Sequence, residues 1–265
     1  MQTKINNFGV LRLLFASLVI LSHAPELLDG NRSRELATRL WGTMSLGEIA
    51  VDGFFIISGF LITQSFFNSR SVGSFLFKRV VRIYPAFIVA TLVLLFVVSP
   101  MAGAHGSVNV YELIVRALRL EEPSRAGVFQ GLHYATLDGA MWSVSYEFRC
   151  YLSVVLLGSL GLFRASWFIA MVALILLIAT SFSVVPPWTV PHVPDLGYLP
   201  FDVRTAGVFL IGVMFYLERD RIALRDDFAA MAAGAMVVLM FFKPTAEPAF
   251  AVFGGYLIFW LAAAK

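Results

Sequence analysis

The feature that most constrains this chain is a series of apolar segments that are long enough, or nearly long enough, to cross a lipid bilayer. A helix that spans the hydrocarbon core needs about 20 predominantly apolar residues. Segments near that length recur along the whole chain: Phe8 to Leu28, Leu46 to Phe67, Ile83 to Met101, Ala140 to Phe163, Trp167 to Val185, Phe201 to Leu217, Phe228 to Phe242 and Ala249 to Ala264. The sequence therefore predicts an all-α, polytopic bundle of about eight transmembrane helices, forming a single domain over residues 1–265.

Composition agrees with a membrane protein and argues against other classes. Of the 265 residues, 59% are hydrophobic and only 14% are charged, with a mean hydropathy of +0.80. A soluble domain of this size has too little interior for so much apolar surface. The net charge of +3 is expected from basic residues at the ends of spans. No basic run is interleaved with aromatic residues, so nucleic acid is not an expected partner.

The first apolar segment contains two ionisable residues, Arg12 and His23. They are eleven positions apart, which places them on one face of a helix about three turns apart. Charge inside hydrocarbon is costly, so an intramembrane ionisable pair is a functional-site hypothesis. Arg12 interrupts the segment and Pro25 follows the small residue Ala24, so we expect a retained first span rather than a cleaved signal peptide. With the N-terminus inside, Arg12 lies toward the cytosol and His23 toward the outer surface.

The second span carries an acid, Asp52, near its predicted outer end. Two interpretations stay open. Asp52 can reach the interface while Ser58 and Gly59 form a small-residue packing face, which is a purely structural arrangement. Alternatively, Asp52 is an acid at the same outer level as His23 and takes part in the chemistry.

A basic motif, KRVVRIYP, precedes the third predicted span. Arg79 and Arg82 are three positions apart and share a helical face, and Pro85 suits the first turn of the span. One interpretation is an anchor that keeps this loop in the cytosol. The other is a clamp for phosphate groups, because guanidinium groups bind phosphate oxygens with two parallel hydrogen bonds.

A further polar motif opens the fourth predicted span, in MWSVSYEFRCYL. Ser143 and Glu147 are four positions apart on one face, while another face carries the residues Trp142, Tyr146 and Arg149. Glu147 either pairs with Arg149, caps the start of a helix, or orients His23 as carboxylates do in acid–base pairs.

The remaining chemistry-bearing residues predict no metal or redox site. Cys150 is the only cysteine and lies in an apolar segment, so a packing role is the simplest interpretation. His105, His133 and His192 are scattered over loops without ligand spacing, so no bound metal is expected. The connection from Ala102 to Gly139 is long, and we expect a short amphipathic helix around Val110 to Leu120 within it.

Four motifs in this order, Arg12-x10-His23, VDGFFIISGFLI, KRVVRIYP and WSVSYEF, resemble the signature series of the acyltransferase-3 family of integral membrane O-acyltransferases. The motifs cover about the first 150 residues. Some relatives carry an extracytoplasmic esterase-like domain, which is not expected within these residues. It ends in an apolar stretch, YLIFWLAAAK, where the family usually continues with further spans, so a fragment or a shortened member is expected.

The resemblance implies a multi-pass protein of the bacterial cytoplasmic membrane that transfers an acyl group, usually acetyl, from cytosolic acyl-CoA to an extracytoplasmic carbohydrate such as O-antigen or exopolysaccharide. Acetyl-CoA is then a co-substrate, and no permanently bound cofactor is expected. The implied residues fall into three groups: His23 and Arg12 as the essential pair, Arg79 and Arg82 as the cytosolic basic motif, and Glu147 with Trp142 and Ser143 as the fourth-helix motif.

The expected mechanism is acyl transfer in which Arg79, Arg82 and Arg12 hold the donor's phosphates. His23 removes the proton of the acceptor hydroxyl, or carries the acyl group itself. Glu147, with Asp52, stabilises the imidazolium, and Tyr146 or Ser143 assists the acceptor or the oxyanion. The alternative function is a proton-coupled transporter with a relay through Arg12, His23, Asp52 and Glu147.

Overall fold

The structure is a computed structural model that describes residues 7–132, 136–182 and 199–264, and these residues are helical without strands. The α-helices are α1 (Phe8–Asp29), α2 (Leu36–Trp41), α3 (Leu46–Phe67), α4 (Val72–Val93), α5 (Ser99–Met101), α6 (Val110–Arg119), α7 (Trp142–Ser159), α8 (Ser166–Phe182), α9 (Leu199–Leu217), α10 (Asp226–Leu239), α11 (Lys243–Ala249) and α12 (Gly255–Ala263). The prediction of an all-α fold is confirmed for the described residues.

Four of the described helices are long and apolar enough to cross a membrane, namely Phe8–Leu28, Leu46–Phe67, Val72–Met101 and Lys243–Ala263. Two of them contain a wider turn: a π-helical turn joins α4 to α5 at Leu94–Val98, and another joins α11 to α12 at Phe250–Gly254. The apolar helices Ser166–Ser181 and Val203–Leu217 are shorter. The predicted total of about eight spans stays a prediction.

Two predicted boundaries were wrong, both at prolines. The third span begins at Val72 rather than Ile83, so the basic motif and Pro85 lie inside the helix. Ser71 caps this helix by accepting a hydrogen bond from the N–H of Ser74 at 3.1 Å, an earlier start signal than the proline. The last span begins at Lys243 rather than Ala249, and Pro244 lies in its first turn, where its missing N–H costs nothing. The amphipathic helix predicted at Val110 to Leu120 is confirmed as α6.

The chain forms two compact units, residues 1–64 with 156–265 (unit 1) and residues 65–155 (unit 2). In unit 1, α1 runs antiparallel to α3, as three contacts along their length show. The rings of Phe8 and Phe60 lie 5.7 Å apart, and those of Phe15 and Phe54 lie 5.8 Å apart. At the other end, a Cβ added to Gly47 would meet the Ser22 hydroxyl at 3.0 Å.

Helix α9 packs parallel to α3 at very short range. Gly59 faces the backbone of α9 at Phe209, and Gly212 faces the backbone of α3 at Ile56, so a side chain at either glycine would collide with main chain. Small residues allow this kind of close helix approach inside membranes. The predicted packing role of Gly59 is therefore confirmed, and it fixes the depth at which polar residues of α3 and α9 face each other.

Unit 2 is organised around a small core of Phe87, Leu120 and Met141, against which Tyr84 and Phe148 pack. The Tyr84 hydroxyl donates to the backbone oxygen of Leu118 at 2.8 Å, which ties α6 to α4. Leu120 adopts a left-handed conformation with φ of 57° as it ends α6, and it is 1% exposed. These contacts hold the amphipathic helix against the long helix that starts at Val72.

Candidate functional site

His23 lies near the C-terminal end of α1 and has a carboxylate partner within the same helix. Its Nδ1 atom lies 3.1 Å from Oε2 of Glu26, three positions later. Glu26 is buried, whereas the side chain of His23 is 46% exposed. An ionised carboxylate only accepts hydrogen bonds, so it favours the tautomer with the proton on Nδ1. The other ring nitrogen, Nε2, then carries a lone pair that can take a proton from a hydroxyl group.

Arg12 is half-buried on the same helix. The eleven positions between Arg12 and His23 correspond to about 16 Å along a helix axis. The register of α1 against α3 places Arg12 between the levels of Phe60 and Phe54, close to the middle of α3. Arg12 therefore lies near the start of α1 and His23 near its end, and the predicted orientation of the two across the membrane stays a prediction.

Asp52 lies at the same end of unit 1 as His23 but makes a different contact. It is 0% exposed, and its Oδ2 accepts a hydrogen bond from Nη2 of Arg204 in α9 at 2.9 Å. The interpretation that Asp52 reaches the membrane interface was therefore wrong. Because α3 and α9 pack in parallel, Arg204 lies at the same depth as Asp52. The ion pair compensates the charge that Asp52 keeps when it is buried.

Arg204 joins three helices through carboxylates. Besides Asp52, its Nε lies 2.7 Å from Oε1 of Glu247 in α11, and its Nη1 lies 3.8 Å from Oε1 of Glu48 in α3. Glu48 also caps the start of α3, because it accepts a hydrogen bond from the N–H of Ser45 at 2.7 Å. The cluster therefore locks the starts of α3, α9 and α11 together next to the end of α1 that carries His23.

The two arginines of the basic motif in unit 2 differ in how far they are buried. Arg79 is 9% exposed, and its Nη2 donates to the Ser65 hydroxyl at 3.1 Å. Its guanidinium carbon lies 5.7 Å from the Phe75 ring centroid and 5.9 Å from that of Tyr151, and its Nε has no hydrogen-bond partner among the described residues. Arg82 is exposed. The two arginines are three positions apart on one helix, but Arg79 lies against Tyr151 of α7 whereas Arg82 is exposed.

The fourth-helix motif begins α7. The Tyr151 hydroxyl donates to Oε1 of Glu147 at 2.5 Å, one helical turn earlier. Trp142 and Tyr146 form an edge-to-face pair at 5.3 Å, and the guanidinium of Arg149 lies 5.1 Å from the Tyr146 ring, so the predicted aromatic face is confirmed. The Ser143 hydroxyl donates to the backbone oxygen of Ala140 at 3.2 Å.

The predicted pairing of Glu147 with His23 stays a prediction, because Glu147 belongs to unit 2 and His23 to unit 1. Sequence reasoning missed four partners in these sites: Glu26, Arg204, Glu247 and Tyr151. Helical spacing was available for two of them, since Glu26 follows His23 by three positions and Tyr151 follows Glu147 by four. No local signal pointed to the other two, because Arg204 lies 152 positions from Asp52 in the chain and Glu247 lies on a different helix from Arg204.

The described residues contain no group of three or more His, Cys, Asp or Glu side chains that could hold a metal ion. His105 lies exposed in a loop, and Cys150 is buried, which agrees with its predicted packing role. His133 and His192 lie outside the described residues.

Comparison with known proteins identifies relatives of this chain. It is 30% identical over 153 residues to an O-acetyl transferase of Shigella phage Sf6, covering 56% of this chain and 44% of that protein. It is 33% identical over 172 residues to Nodulation protein 10 of Rhizobium leguminosarum bv. viciae, covering 57% and 44%. Acyltransferase MdmB of Streptomyces mycarofaciens is 32% identical over 126 residues, covering 45% and 30%.

Each of these alignments spans less than half the length of the relative. No solved structure is significantly similar to this chain. Residues 5–264 match the profile of the family described as "Acyltransferase domain", which is nearly the whole chain. With three of its four ordered motifs on helices long and apolar enough to cross a membrane, the chain belongs to the acyltransferase-3 family.

Proposed function

We propose that this protein is a multi-pass membrane O-acyltransferase that moves an acyl group, in the first instance acetyl, from acyl-CoA to a hydroxyl group of a carbohydrate. The observation that carries the proposal is the contact between His23 Nδ1 and the buried carboxylate of Glu26 at 3.1 Å. It orients an exposed imidazole and stabilises the positive charge that the ring gains when it takes a proton. Membership of an acyltransferase family supports the reaction class.

In the proposed reaction, Nε2 of His23 removes the proton of the acceptor hydroxyl as its oxygen attacks the thioester carbonyl carbon. The C–S bond then breaks, the new C–O ester bond remains, and the imidazolium returns its proton to the CoA thiolate. An acyl-imidazole intermediate is the alternative route for the same net transfer. Tyr146 or Ser143 is proposed to assist the acceptor or the oxyanion.

On the donor side, Arg79, Arg82 and Arg12 are proposed to bind the phosphates of acyl-CoA. The exposure of Arg82 supports a first contact with the phosphates. Arg79 supports a more enclosed role, because aromatic rings and a hydroxyl surround its charge and no carboxylate forms an ion pair with it among the described residues. We propose that the loop before α4 faces the cytosol of a bacterial cell. Within α1, the N-terminus inside would place His23 toward the outer surface.

The transporter alternative is not favoured. It requires a relay of ionisable groups along the bundle axis, whereas Asp52 is paired with Arg204 and His23 with Glu26. Family membership favours acyl transfer over transport.

The test is transfer of radiolabelled acetyl groups from acetyl-CoA to membrane-derived glycans in cells that express the chain. His23→Ala is expected to lower the rate by about 10²- to 10⁴-fold, the usual contribution of a general base. Glu26→Gln keeps the shape of the partner but removes its charge, and a smaller loss is expected. Ser17→Ala on the same helix, whose hydroxyl bonds only to the backbone oxygen of Leu13, is the matched control.

Normal labelling with His23→Ala would overturn the proposed role of this histidine. An absence of label with the unchanged chain, despite normal membrane insertion, would contradict the proposal that this chain is sufficient for transfer.

A further inference from the structure

Helix α6 packs against the long apolar helix of unit 2, which runs through α4 and α5 over Val72–Met101. The Tyr84 hydroxyl donates to the backbone oxygen of Leu118 at 2.8 Å, near the end of α6. Asn109, at the start of α6, lines the same cavity as Leu95. Helix α6 therefore runs antiparallel to the long helix, from the level of Leu95 to the level of Tyr84.

The length of the long helix sets the depth of this contact in a membrane. The helix has 30 residues, which corresponds to about 45 Å at 1.5 Å per residue. About 20 residues are enough to cross the hydrocarbon core of a bilayer. The stretch that crosses therefore lies between the extremes of residues 72–91 and residues 82–101, and residues 84–91 belong to it in every case. The part of α4 that contacts α6 thus lies within the hydrocarbon.

The side of α6 that points away from the protein is apolar. Val110, Ile114 and Leu118 are 64%, 54% and 65% exposed, and their spacing of four positions places them on one face of the helix. Ile114 and Leu118 also line a groove together with Ile88 and Leu92 of α4, both of which are exposed. One apolar surface therefore continues from α6 onto a helix that is long enough to span a membrane.

The groove between α4 and α6 offers no polar contact to an occupant. Its volume is about 240 Å³, and its lining contains two hydroxyl groups, those of Tyr84 and Thr91. The Tyr84 hydroxyl is bonded to the backbone oxygen of Leu118, and the Thr91 hydroxyl is buried inside the protein. A water molecule needs two to four polar partners to occupy a cavity. The groove is therefore suited to a hydrocarbon chain.

The charged side chains of α6 lie on its opposite face, and each has an opposite charge nearby. Arg116 Nε lies 2.9 Å from Glu112 Oε1, and Arg119 Nη1 lies 3.9 Å from Glu121 Oε1. Glu112, Arg116 and Arg125 line a polar cavity of about 200 Å³ on this side, which has room for a few waters at about 30 Å³ each. Ionisable groups at membrane depth pair with one another or face a water-filled cavity. The charges of α6 are thus arranged as a position within the bilayer requires.

We infer that α6 re-enters the lipid bilayer beside α4 and that the acyl chains of membrane lipids cover its apolar face. The depth set by the long helix places Ile114 and Leu118 beside hydrocarbon rather than water. In an aqueous loop the same face would be an exposed apolar patch, and such patches are rare on soluble surfaces. The chain therefore turns back into the bilayer after Met101. This contact with lipid does not depend on the proposed acyl transfer.

The test uses the environment-sensitive fluorophore nitrobenzoxadiazole, attached to single cysteines of the full chain in phosphatidylcholine vesicles. Cys150 is the only cysteine and is buried, so Cys150→Ala supplies the background. Ile114→Cys and Leu118→Cys report on α6. Val89→Cys, at an exposed position of α4, is the lipid-facing reference, and Ser107→Cys, in the polar cavity beside α6, is the matched control. Lipids that carry a nitroxide on the acyl chain quench from the hydrocarbon, and iodide ions quench from water.

The labels at positions 114 and 118 are expected to lose the same fraction of fluorescence to nitroxide lipids as the label at position 89, and less to iodide than the label at position 107. Quenching at positions 114 and 118 by iodide alone would place α6 in water and overturn the inference. Quenching by neither agent would show that protein covers this face, for example a second copy of the chain, and would overturn it as well. The measurement needs neither acyl donor nor acceptor, so a failure of the proposed reaction leaves its outcome unaffected.

Discussion

Each of the two units contains a mostly buried arginine, and the two are stabilised in different ways. Arg204 in unit 1 lies against the carboxylates of Asp52 and Glu247 at 2.9 and 2.7 Å. Arg79 in unit 2 lies between aromatic rings and donates to one hydroxyl group. Carboxylates cancel the charge of an arginine, whereas rings and hydroxyls leave it in place.

This difference indicates which arginine serves the fold and which is available to a ligand. The carboxylates of Asp52 and Glu247 neutralise the charge of Arg204. Removing Arg204 therefore leaves these buried negative charges without their partner. No carboxylate lies within ion-pair distance of Arg79 among the described residues. Glu147 attracts it only from farther away and Arg82 adds a second positive charge, so a phosphate that approaches meets a net positive potential. The variants that follow test this division of roles.

The largest expected effect is on stability, from Arg204→Met. Removing one partner of a buried ion pair costs about 3–5 kcal/mol, because the remaining charge is left buried without compensation. We expect a large loss of stability in detergent, measured by thermal unfolding. Arg219→Ala, which removes a partly exposed arginine paired with Asp220, is the control and is expected to change stability by less than about 1 kcal/mol.

The triple variant Arg204→Met, Asp52→Asn, Glu247→Gln removes the charges together and is expected to recover much of the loss. If Arg204→Met alone unfolds at the temperature of the unchanged chain, the cluster does not stabilise unit 1 and the contrast with Arg79 disappears.

The second effect is on donor affinity, from Arg79→Met. A charge-assisted hydrogen bond to phosphate contributes about 1.5–3 kcal/mol, so the KM for acetyl-CoA is expected to rise about tenfold to a hundredfold. The loss of stability is expected to be smaller than for Arg204→Met, because no carboxylate is paired with Arg79 among the described residues. Arg82→Ala, at an exposed position, is expected to raise the same KM without loss of stability.

Lys78→Ala, at an exposed neighbour of Arg79, is the control for a general loss of positive charge. An unchanged KM for acetyl-CoA in Arg79→Met, together with a loss of stability equal to that of Arg204→Met, would show that both arginines are structural.

The smallest expected effect is on the pH dependence of stability, and it comes from Glu35 in unit 1. Burial raises the pKa of its carboxyl, but hydrogen bonds from the N–H groups of Thr38 and Leu46 outweigh burial and leave the pKa below its usual value of 4.5. A carboxyl with a lowered pKa stabilises the fold above its unfolded pKa, and this contribution is lost as the pH falls through the folded value. Stability should therefore decline below about pH 4.5.

Glu35→Gln is expected to lower stability at neutral pH by about 1 kcal/mol, since it weakens the cap of α2, and to flatten the decline in acid. Thermal unfolding between pH 3 and 7, compared with the unchanged chain, measures the difference. An identical pH dependence in both proteins would show that Glu35 does not contribute to acid sensitivity.

Much of the fold could be predicted, because the pattern of apolar residues within a single segment is enough to indicate a helix there. The long helices and α6 lie near their predicted positions, and the errors occur at the span starts predicted at Ile83 and Ala249. The first of these helices begins at Val72 behind the Ser71 cap, and the second begins at Lys243 with Pro244 in its first turn. Within the candidate site, helical spacing placed Arg12 and His23 on one helix and Trp142 with Tyr146 on one face. Partners from distant segments, such as Arg204 for Asp52, could not be predicted.

The sequence by itself determined the helical class, the ordered motifs of the acyltransferase-3 family and the residues available for chemistry, because these depend on composition and on spacing within single segments. Only the tertiary structure decided which charges are cancelled. The close contact of Gly59 and Gly212 sets the depth at which Asp52 meets Arg204. The facing of α4 toward α7 buries Arg79 against Tyr151 and leaves Arg82 exposed. Burial and pairing arise from packing between helices, and no local pattern in the chain encodes them.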